Sequence, residues 1–364
     1  PVPGTKYTVE YLASEQINGE SCTAFDTHWC TDNVVERVNL STGAVERVWS
    51  KKTSGIHSTR YHDADRLNET HLVVAGIHED RVFVTDTRDG EVEWTWDAAS
   101  FYSEDEGGKA GDWTHINDVE VTPDGRFMVS VRNMDEVVFV EPGEGVQENW
   151  TLGSDGEHSI LYEQHNPDYI PEDRGGPAVI VGDSENNRVV EYHRVDGEWE
   201  LAWLWRDVRM QWPRDADRLP DGDTLIVDSH GDRVLEVTPG GEVAWSVDVG
   251  MPYDAERLGT GDESAGGYAL PRGEGNGAVG ASTTVPWHTE VLLAVKDVIP
   301  SLWVNSALYV APEGIRFGEL LVAAGVLVDL LAWGGLEYRW SRFSVRRRAA
   351  RTWRWLTDAG GGAA

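Results

Sequence analysis

One short pattern recurs along the first 258 residues and constrains the fold more than any other feature. It begins with an Asp and a second acid two residues later, continues as an apolar run, and ends in a turn and an aromatic-rich run. Four copies and one looser copy begin at Asp63-Ala-Asp65, Asp118-Val-Glu120, Asn166-Pro-Asp168, Asp215-Ala-Asp217 and Asp254-Ala-Glu256. Repeats of about 40–55 residues, each with three or four short strands, are typical of β-propeller blades.

The five copies predict an all-β chain, a six-bladed β-propeller over residues 1–258 followed by a C-terminal helical membrane anchor. The sixth blade is expected to combine the strand at 7–12 with the region 34–49 and so to close the ring. A β-sandwich is the competing all-β fold, but it does not explain a periodic motif. A Gly-rich linker is predicted at 259–284, one or two membrane-associated helices at 285–338, and a basic cytoplasmic tail at 339–364.

The C-terminal region contains two apolar stretches. Residues 317–338 are long enough to span a bilayer, whereas residues 290–311 are weaker because they contain Lys296, Asp297 and Pro300. A pair of soluble helices packed on the propeller is the alternative. Seven arginines and no acid lie between 339 and 354. The positive-inside rule therefore places this tail in the cytoplasm, where it can contact anionic lipid. One span would put the propeller on the extracellular side of the cell membrane, which we expect, whereas two spans would put propeller and tail on the same side.

The charge of the chain is strongly acidic and unevenly distributed. Residues 1–284 carry 56 acidic and 22 basic side chains, and the whole chain has only five lysines. Nucleic acid is a poor partner for such a domain, because phosphate binding needs a basic face. This composition resembles that of proteins from extreme halophiles, where concentrated salt screens the repulsion between carboxylates. The sequence does not identify a protein partner.

The two cysteines, Cys22 and Cys30, are separated by seven residues. They are close enough for a small disulfide loop in an oxidising compartment, and two free thiols are the alternative. Three Asn-x-Ser/Thr sequons, at Asn39, Asn68 and Asn149, add a little weight to an extracellular location.

The position just before the repeated Asp faces the central tunnel of a propeller, where functional residues collect. Unlike the Asp, this position varies between copies and is always polar or aromatic: His62, Asn117, His165, Arg214 and Tyr253. Strand alternation places His115 on the same side as Asn117. Histidines and arginines on a common axis suit an oxyanion substrate. Two alternatives are a metal site made by the histidines and inner-strand histidines with no role in function.

Four motifs, in order, resemble the arylsulfotransferase family over most of residues 30–260. They are Tyr61-His62-Asp63-Ala64-Asp65, Asp112-Trp113-Thr114-His115-Ile116-Asn117, Ser130-Val131-Arg132 and Gln164-His165. Members of that family are six-bladed propellers that transfer a sulfuryl group from an aryl sulfate to a phenol.

The resemblance implies that His165 forms a sulfohistidine, while His62, His115, Asn117 and Arg132 hold the sulfate oxygens and assist proton transfer. We expect Arg214, Tyr253 and Trp113 to line the substrate site. No cofactor and no metal are predicted, because the exchange needs only an aryl sulfate and a phenol. The alternative is a non-catalytic cell-surface propeller that binds an anionic ligand or a protein partner.

Overall fold

A computed structural model describes residues 5, 7–55, 58–260, 263–271, 278–280, 287–312 and 314–359. The chain divides into two compact units, Pro1–Gly314 and Ile315–Ala364. Parts of the predicted linker, helical region and tail (261–262, 272–277, 281–286, 313 and 360–364) lie outside the described residues.

Five sheets, which we number as blades 1–5 in chain order, form a β-propeller in the first unit. Blade 1 contains β1 (Thr8–Asn18), β2 (Trp29–Asn39) and β3 (Ala44–Ser54). Blade 2 contains β4 (Ala64–Arg66), β5 (His71–Gly76), β6 (Arg81–Asp86) and β7 (Val92–Asp97). Blade 3 contains β8 (Ile116–Val121), β9 (Phe127–Val131), β10 (Glu136–Glu141), β11 (Gly145–Val146) and β12 (Leu152–Gly153). Blade 4 contains β13 (His165–Ile170), β14 (Ala178–Asp183), β15 (Arg188–Val195) and β16 (Glu198–Trp205). Blade 5 contains β17 (Pro213–Arg218), β18 (Thr224–Asp228), β19 (Arg233–Val237) and β20 (Val243–Asp248). A short strand, β21 (Ala278–Gly280), pairs parallel with β16 and extends the sheet of blade 4.

The prediction of six blades is wrong, because the last copy of the motif is not followed by a sheet. Asp254 and Glu256 lie in an irregular segment, and no strand is found between 249 and 260 or between 263 and 271. The residues that follow the motif are rich in glycine, which weakens a strand through its backbone entropy and its lack of a side chain to pack. The early region forms blade 1, as expected, so the total is five.

Apolar clusters hold each blade to the next. Blades 1 and 2 pack through Trp49 and Phe83, whose ring centroids are 6.3 Å apart, and blades 3 and 4 pack through Phe139 and Tyr169, 5.6 Å apart. Similar clusters join blades 2 and 3 and blades 4 and 5. Each large apolar side chain that is fully buried stabilises such a contact by about 1.5–3 kcal/mol. In the described part of the chain no such cluster joins blade 5 to blade 1.

The repeated acids of the motif form hydrogen bonds between blades. Asp63 accepts from the backbone N–H of Val119 at 3.0 Å, and Asp65 accepts from that of Val121 at 2.8 Å. Glu120 repeats the pattern one blade further on and accepts from the N–H of Tyr169 at 2.6 Å. The motif therefore aligns the start of each inner strand with its neighbour.

Cys22 and Cys30 form a disulfide, with their Cα atoms 5.5 Å apart. Cys22 lies in the turn after β1 and Cys30 lies in β2, and both are fully buried. The bond therefore closes the first long connection of blade 1.

Two helices, α1 (Trp287–Val298) and α2 (Ser301–Val310), pack on the propeller and meet at a bend of 95°. Asp297 forms an ion pair with Arg206 at 3.0 Å, and the buried amide of Asn305 donates to Glu185 at 2.8 Å. The polar residues of this region thus face the propeller, and the chain bends next to Pro300, which cannot continue the hydrogen bonding of α1.

The second unit contains one long helix, α3 (Phe317–Ala359). Its apolar part is long enough to cross a membrane, and the large apolar side chains between Val322 and Leu336 are exposed. Within the described residues α3 is the one helix that is by itself long and apolar enough to cross a membrane. The bent pair of α1 and α2 meets this criterion only if the two helices are counted as one span. The basic segment after Tyr338 continues α3, so the predicted tail is helical as far as Ala359.

Candidate functional site

The backbone bends sharply before each inner segment. In four of the five motifs a residue with positive φ stands two positions before the varying polar position, namely His115 (φ 49°), Glu163 (φ 47°), Trp212 (φ 54°) and Met251 (φ 44°). Left-handed backbone is costly for residues with a side chain and is often found at functional sites. This repeated bend precedes the inner strands of blades 3, 4 and 5 and the irregular segment that contains Tyr253.

The structure brings the varying polar residues together on the axis, and we call His62, Asn117, His165, Arg214 and Tyr253 the tunnel residues. The ring of Tyr253 lies 5.5 Å from that of His62 and 6.3 Å from that of His165, measured between centroids. The guanidinium carbon of Arg214 lies 4.4 Å from the centroid of Tyr253. His115 joins the group through its ring, 5.3 Å from that of His62. Side chains that precede or begin blades 2 to 5 thus meet in one buried cluster, which we call the chamber.

Asn117 and Arg132 lie at the edge of this chamber. The Asn117 amide donates to the backbone carbonyl of Gln164 at 2.9 Å, while its own oxygen is buried and has no partner among the described residues. Arg132, at the end of β9, pairs with Glu163 and donates to Asn133 at 3.1 Å. Both residues therefore retain unused hydrogen-bonding capacity, which a bound molecule can use.

The hydrogen bonds around His165 define its tautomer. Its Nδ1 lies 2.9 Å from the hydroxyl of Ser184 and 3.2 Å from the carbonyl of Glu163. The Ser184 hydroxyl donates its own hydrogen to the carbonyl of Pro213 at 2.7 Å. Both groups near Nδ1 are therefore acceptors, so Nδ1 carries the proton and Nε2 has a free lone pair.

Two histidines of the chamber, His165 and His62, are held neutral. Burial lowers the pKa of His165 well below its ordinary value, and the charges of Arg214 and Arg132 lower it further. Burial lowers the pKa of His62 in the same way, with added repulsion from His115 and Arg214. A neutral imidazole can act as a nucleophile, which a protonated one cannot.

His115 has a carboxylate partner, unlike the other two histidines. Its Nδ1 lies 2.6 Å from a carboxylate oxygen of Asp112. Burial lowers the pKa of His115 and Arg132 adds to this decrease, whereas the hydrogen bond to Asp112 opposes it without reversing it. Burial raises the pKa of Asp112, but the hydrogen bond from His115 and the attraction to it prevail and lower the value to about 2. An ionised carboxylate behind an imidazole orients the ring and stabilises its protonated form.

Arg214 supplies positive charge to the chamber. Its guanidinium lies 4.4 Å from the ring centroids of both Trp212 and Tyr253, and burial lowers its pKa. Within the described part of the chain no carboxylate forms an ion pair with it. Since Arg132 is matched by Glu163, Arg214 is the uncompensated charge, and such a site favours an anion.

Three residues near the chamber escaped the sequence analysis: Trp212, Ser184 and His230. Trp212 stacks edge-on to His165 at 5.9 Å and lies 4.4 Å from the ring of His230. Ser184 and His230 lie just after the second strands of blades 4 and 5. The repeated Asp-Ser at 183–184 and 228–229 was the signal that could have identified this second set of positions.

Trp113 is not brought into the ring contacts of the chamber. Its indole N–H donates to the carbonyl of Glu106 at 2.9 Å, and its ring packs against the apolar cluster between blades 2 and 3.

Two groups in the described residues are close enough to share a metal ion: His71 with Asp86 and Glu93, and Asp168 with Asp215 and Asp217. Neither group contains a tunnel histidine.

Fold and site together define a β-propeller with a buried cluster of histidines and an arginine on its axis. The model of the arylsulfotransferase (ASST) family matches residues 64–180. This segment includes His115, Asn117, Arg132 and His165, and it ends in β14. No curated protein matches the chain.

Solved structures with similar folds are distant. A protein of unknown function from Bacteroides caccae is 13% identical, with a TM-score of 0.42, and the match covers 59% of this chain and 69% of that one. The periplasmic gluconolactonase of Pseudomonas aeruginosa is 15% identical, with a TM-score of 0.43 and coverage of 64% and 67%. Virginiamycin B lyase from Staphylococcus aureus is 10% identical, with a TM-score of 0.39 and coverage of 67% and 76%. Matches this distant carry no argument about function.

Proposed function

We propose that the chain transfers a sulfuryl group from an aryl sulfate to a phenolic acceptor through a sulfohistidine at His165. The free lone pair on Nε2 of His165, left by the acceptors at Nδ1, is the observation that carries the proposal. The match to the arylsulfotransferase (ASST) family over residues 64–180 supports the same chemistry. Arg214 supports it as well, because an uncompensated guanidinium attracts a sulfate ester.

In the first step, the Nε2 lone pair of His165 attacks sulfur and the bond between sulfur and the aryl oxygen breaks. The leaving phenolate takes a proton from the protein. His115 is our candidate donor, because Asp112 stabilises its protonated form. Arg132, Arg214, His62 and Asn117 hold the sulfate oxygens as their negative charge builds up.

In the second step, the acceptor phenol occupies the place of the first. Its hydroxyl gives a proton to His115, its oxygen attacks sulfur, and the N–S bond to His165 breaks. Each step forms one bond to sulfur and breaks one, so the exchange needs no cofactor. The ring of Tyr253 lies between the two histidines, where it can pack against the aryl group.

Incubation with 4-nitrophenyl sulfate and a phenol in molar salt tests the proposal through release of nitrophenol. We expect wild-type turnover, none for His165→Ala, and the mass of one added SO₃ group on a peptide that contains His165. The matched control is His71→Ala, because His71 is on the second strand of blade 2 and outside the chamber. Binding of the aryl sulfate without release of nitrophenol would instead support a non-catalytic anion-binding propeller.

We also propose that α3 anchors the protein in the cell membrane, with the propeller outside and the arginine-rich segment in contact with lipid on the cytoplasmic side. The exposed apolar surface of α3 and the seven arginines from 339 to 354 support this arrangement. Flotation with anionic vesicles should depend on residues 317–354. Protease added outside intact cells should digest the propeller and spare the tail.

A further inference from the structure

A group of buried carboxylates lies on the propeller axis next to the chamber. Asp168 of β13 and Asp215 and Asp217 of β17 each place an oxygen within 4.8 Å of the other two. All three are at least 96% buried. In the repeat they stand one or three residues beyond a tunnel residue, which corresponds to about 3–10 Å along an inner strand.

Hydrogen bonds do not account for all of these oxygens. Asp215 accepts from the N–H of Ala255 at 3.4 Å, and Asp168 accepts from the hydroxyl of Ser264 at 2.5 Å. The Oδ2 atoms of Asp217 and of the neighbouring Asp118 are buried and have no partner among the described residues. A buried carboxylate oxygen without a donor is costly, so these two atoms themselves indicate a missing positive partner.

In the part of the chain that the structure describes, no Lys, Arg or His forms an ion pair with Asp215 or Asp217. Burial and the neighbouring Asp254 raise the pKa of Asp215, and burial and the neighbouring Asp215 raise that of Asp217. Charge of one sign thus accumulates on the axis, although hydrogen bonds between blades explain Asp63, Asp65 and Glu120.

We propose that Asp168, Asp215 and Asp217 bind a calcium ion that links blades 4 and 5. Carboxylate oxygens are the ligands that this cation prefers, and its opposite ligands lie about 5 Å apart, which fits the spacing observed. Asp118 stands beside the ion and adds negative charge. The site is separate from the imidazoles of the chamber, and its occupation does not depend on sulfuryl transfer.

Calcium titration of EGTA-stripped full-length protein in detergent, at constant molar KCl, tests the site by calorimetry and by the shift in Tm. We expect one saturable site and a higher Tm in calcium, and no comparable response to magnesium. Asp217→Asn should weaken calcium binding by about tenfold or more, because it removes a charged ligand. Asp118→Asn, which removes only a neighbouring charge, should weaken it less.

The metal-free Tm shows whether a variant has simply failed to fold. Asp217→Asn should leave it unchanged or raise it, since one of several like charges is removed. The matched control is Glu93→Gln, which alters the other group of potential ligands, on the surface of blade 2. Absence of saturable calcium binding in the wild type would overturn the proposal. So would full affinity in both Asp217→Asn and Asp118→Asn, or loss of binding in Glu93→Gln.

Discussion

Replacement of Ser184 by Ala tests the geometry that leaves Nε2 of His165 free. The change removes an acceptor 2.9 Å from Nδ1. When Nε2 bonds to sulfur, the imidazole gains positive charge and its Nδ1–H becomes a stronger donor. A hydrogen bond to a charged group contributes about 1.5–3 kcal/mol, against about 0.5–1.5 kcal/mol for a neutral pair. Ser184 therefore stabilises the transition state more than the ground state.

The difference between these contributions, about 1–1.5 kcal/mol, corresponds to a decrease of about 5- to 13-fold in kcat. We expect Ser184→Ala to fall near the lower end, about fivefold, because the carbonyl of Glu163 remains as a second acceptor at 3.2 Å. The assay is nitrophenol release at saturating 4-nitrophenyl sulfate. A parallel urea titration measures the free energy of unfolding, which should fall by about 1 kcal/mol.

Ser229→Ala is a matched control, because Ser229 repeats the structural role of Ser184 one blade further on. Its hydroxyl donates to the carbonyl of Pro252 at 2.7 Å, just as that of Ser184 donates to Pro213 at 2.7 Å. The control should lose similar stability and keep its kcat. Equal decreases in kcat for the two variants would refute the assigned role of Ser184.

Two further predictions concern the pH profile and the buried ion pair between blades 4 and 5. Because burial holds the pKa of His165 well below 6.5, the acid limb of the kcat/KM profile, where this imidazole gains a proton, should lie below 6.5; an acid limb centred at or above 6.5 would contradict this. Glu191 and Arg218 form a fully buried ion pair, so Glu191→Leu should lower the free energy of unfolding by about 3–5 kcal/mol in urea. The double variant Glu191→Leu with Arg218→Met should recover most of the lost free energy of unfolding. If it is no more stable than Glu191→Leu, the uncompensated charge of Arg218 is not the cause of the loss.

The tunnel residues were predictable because blades repeat and side chains alternate along a strand. Once the copies are aligned on their Asp, the preceding position must point the same way in each blade, so His62 and His165 come together although about a hundred residues separate them. Residues on the loops after the second strands, such as Ser184 and His230, have no such regular signal. Their place depends on the packing of neighbouring blades.

The number of blades was not predictable from the motif, because a copy marks only an inner segment. The segment with Tyr253 keeps its place on the axis and contacts His62, although in the described parts of the chain no blade follows it. The partner of the apolar region 290–311 was equally ambiguous. Asp297 and Asn305 are regularly spaced along the helical region, but only the structure shows that they contact Arg206 and Glu185.

The packing of α2 determines where the chain can be cut to obtain a soluble fragment. Truncation before α1 would remove the hydrogen bond from Asn305 to Glu185, whose pKa is already raised to about 7 by burial. It would also remove the contact of Tyr309 with Trp212, whose ring lies next to that of His165. A fragment that ends near residue 311 keeps both contacts and omits the exposed apolar helix. Crystallisation without detergent should therefore start from that boundary.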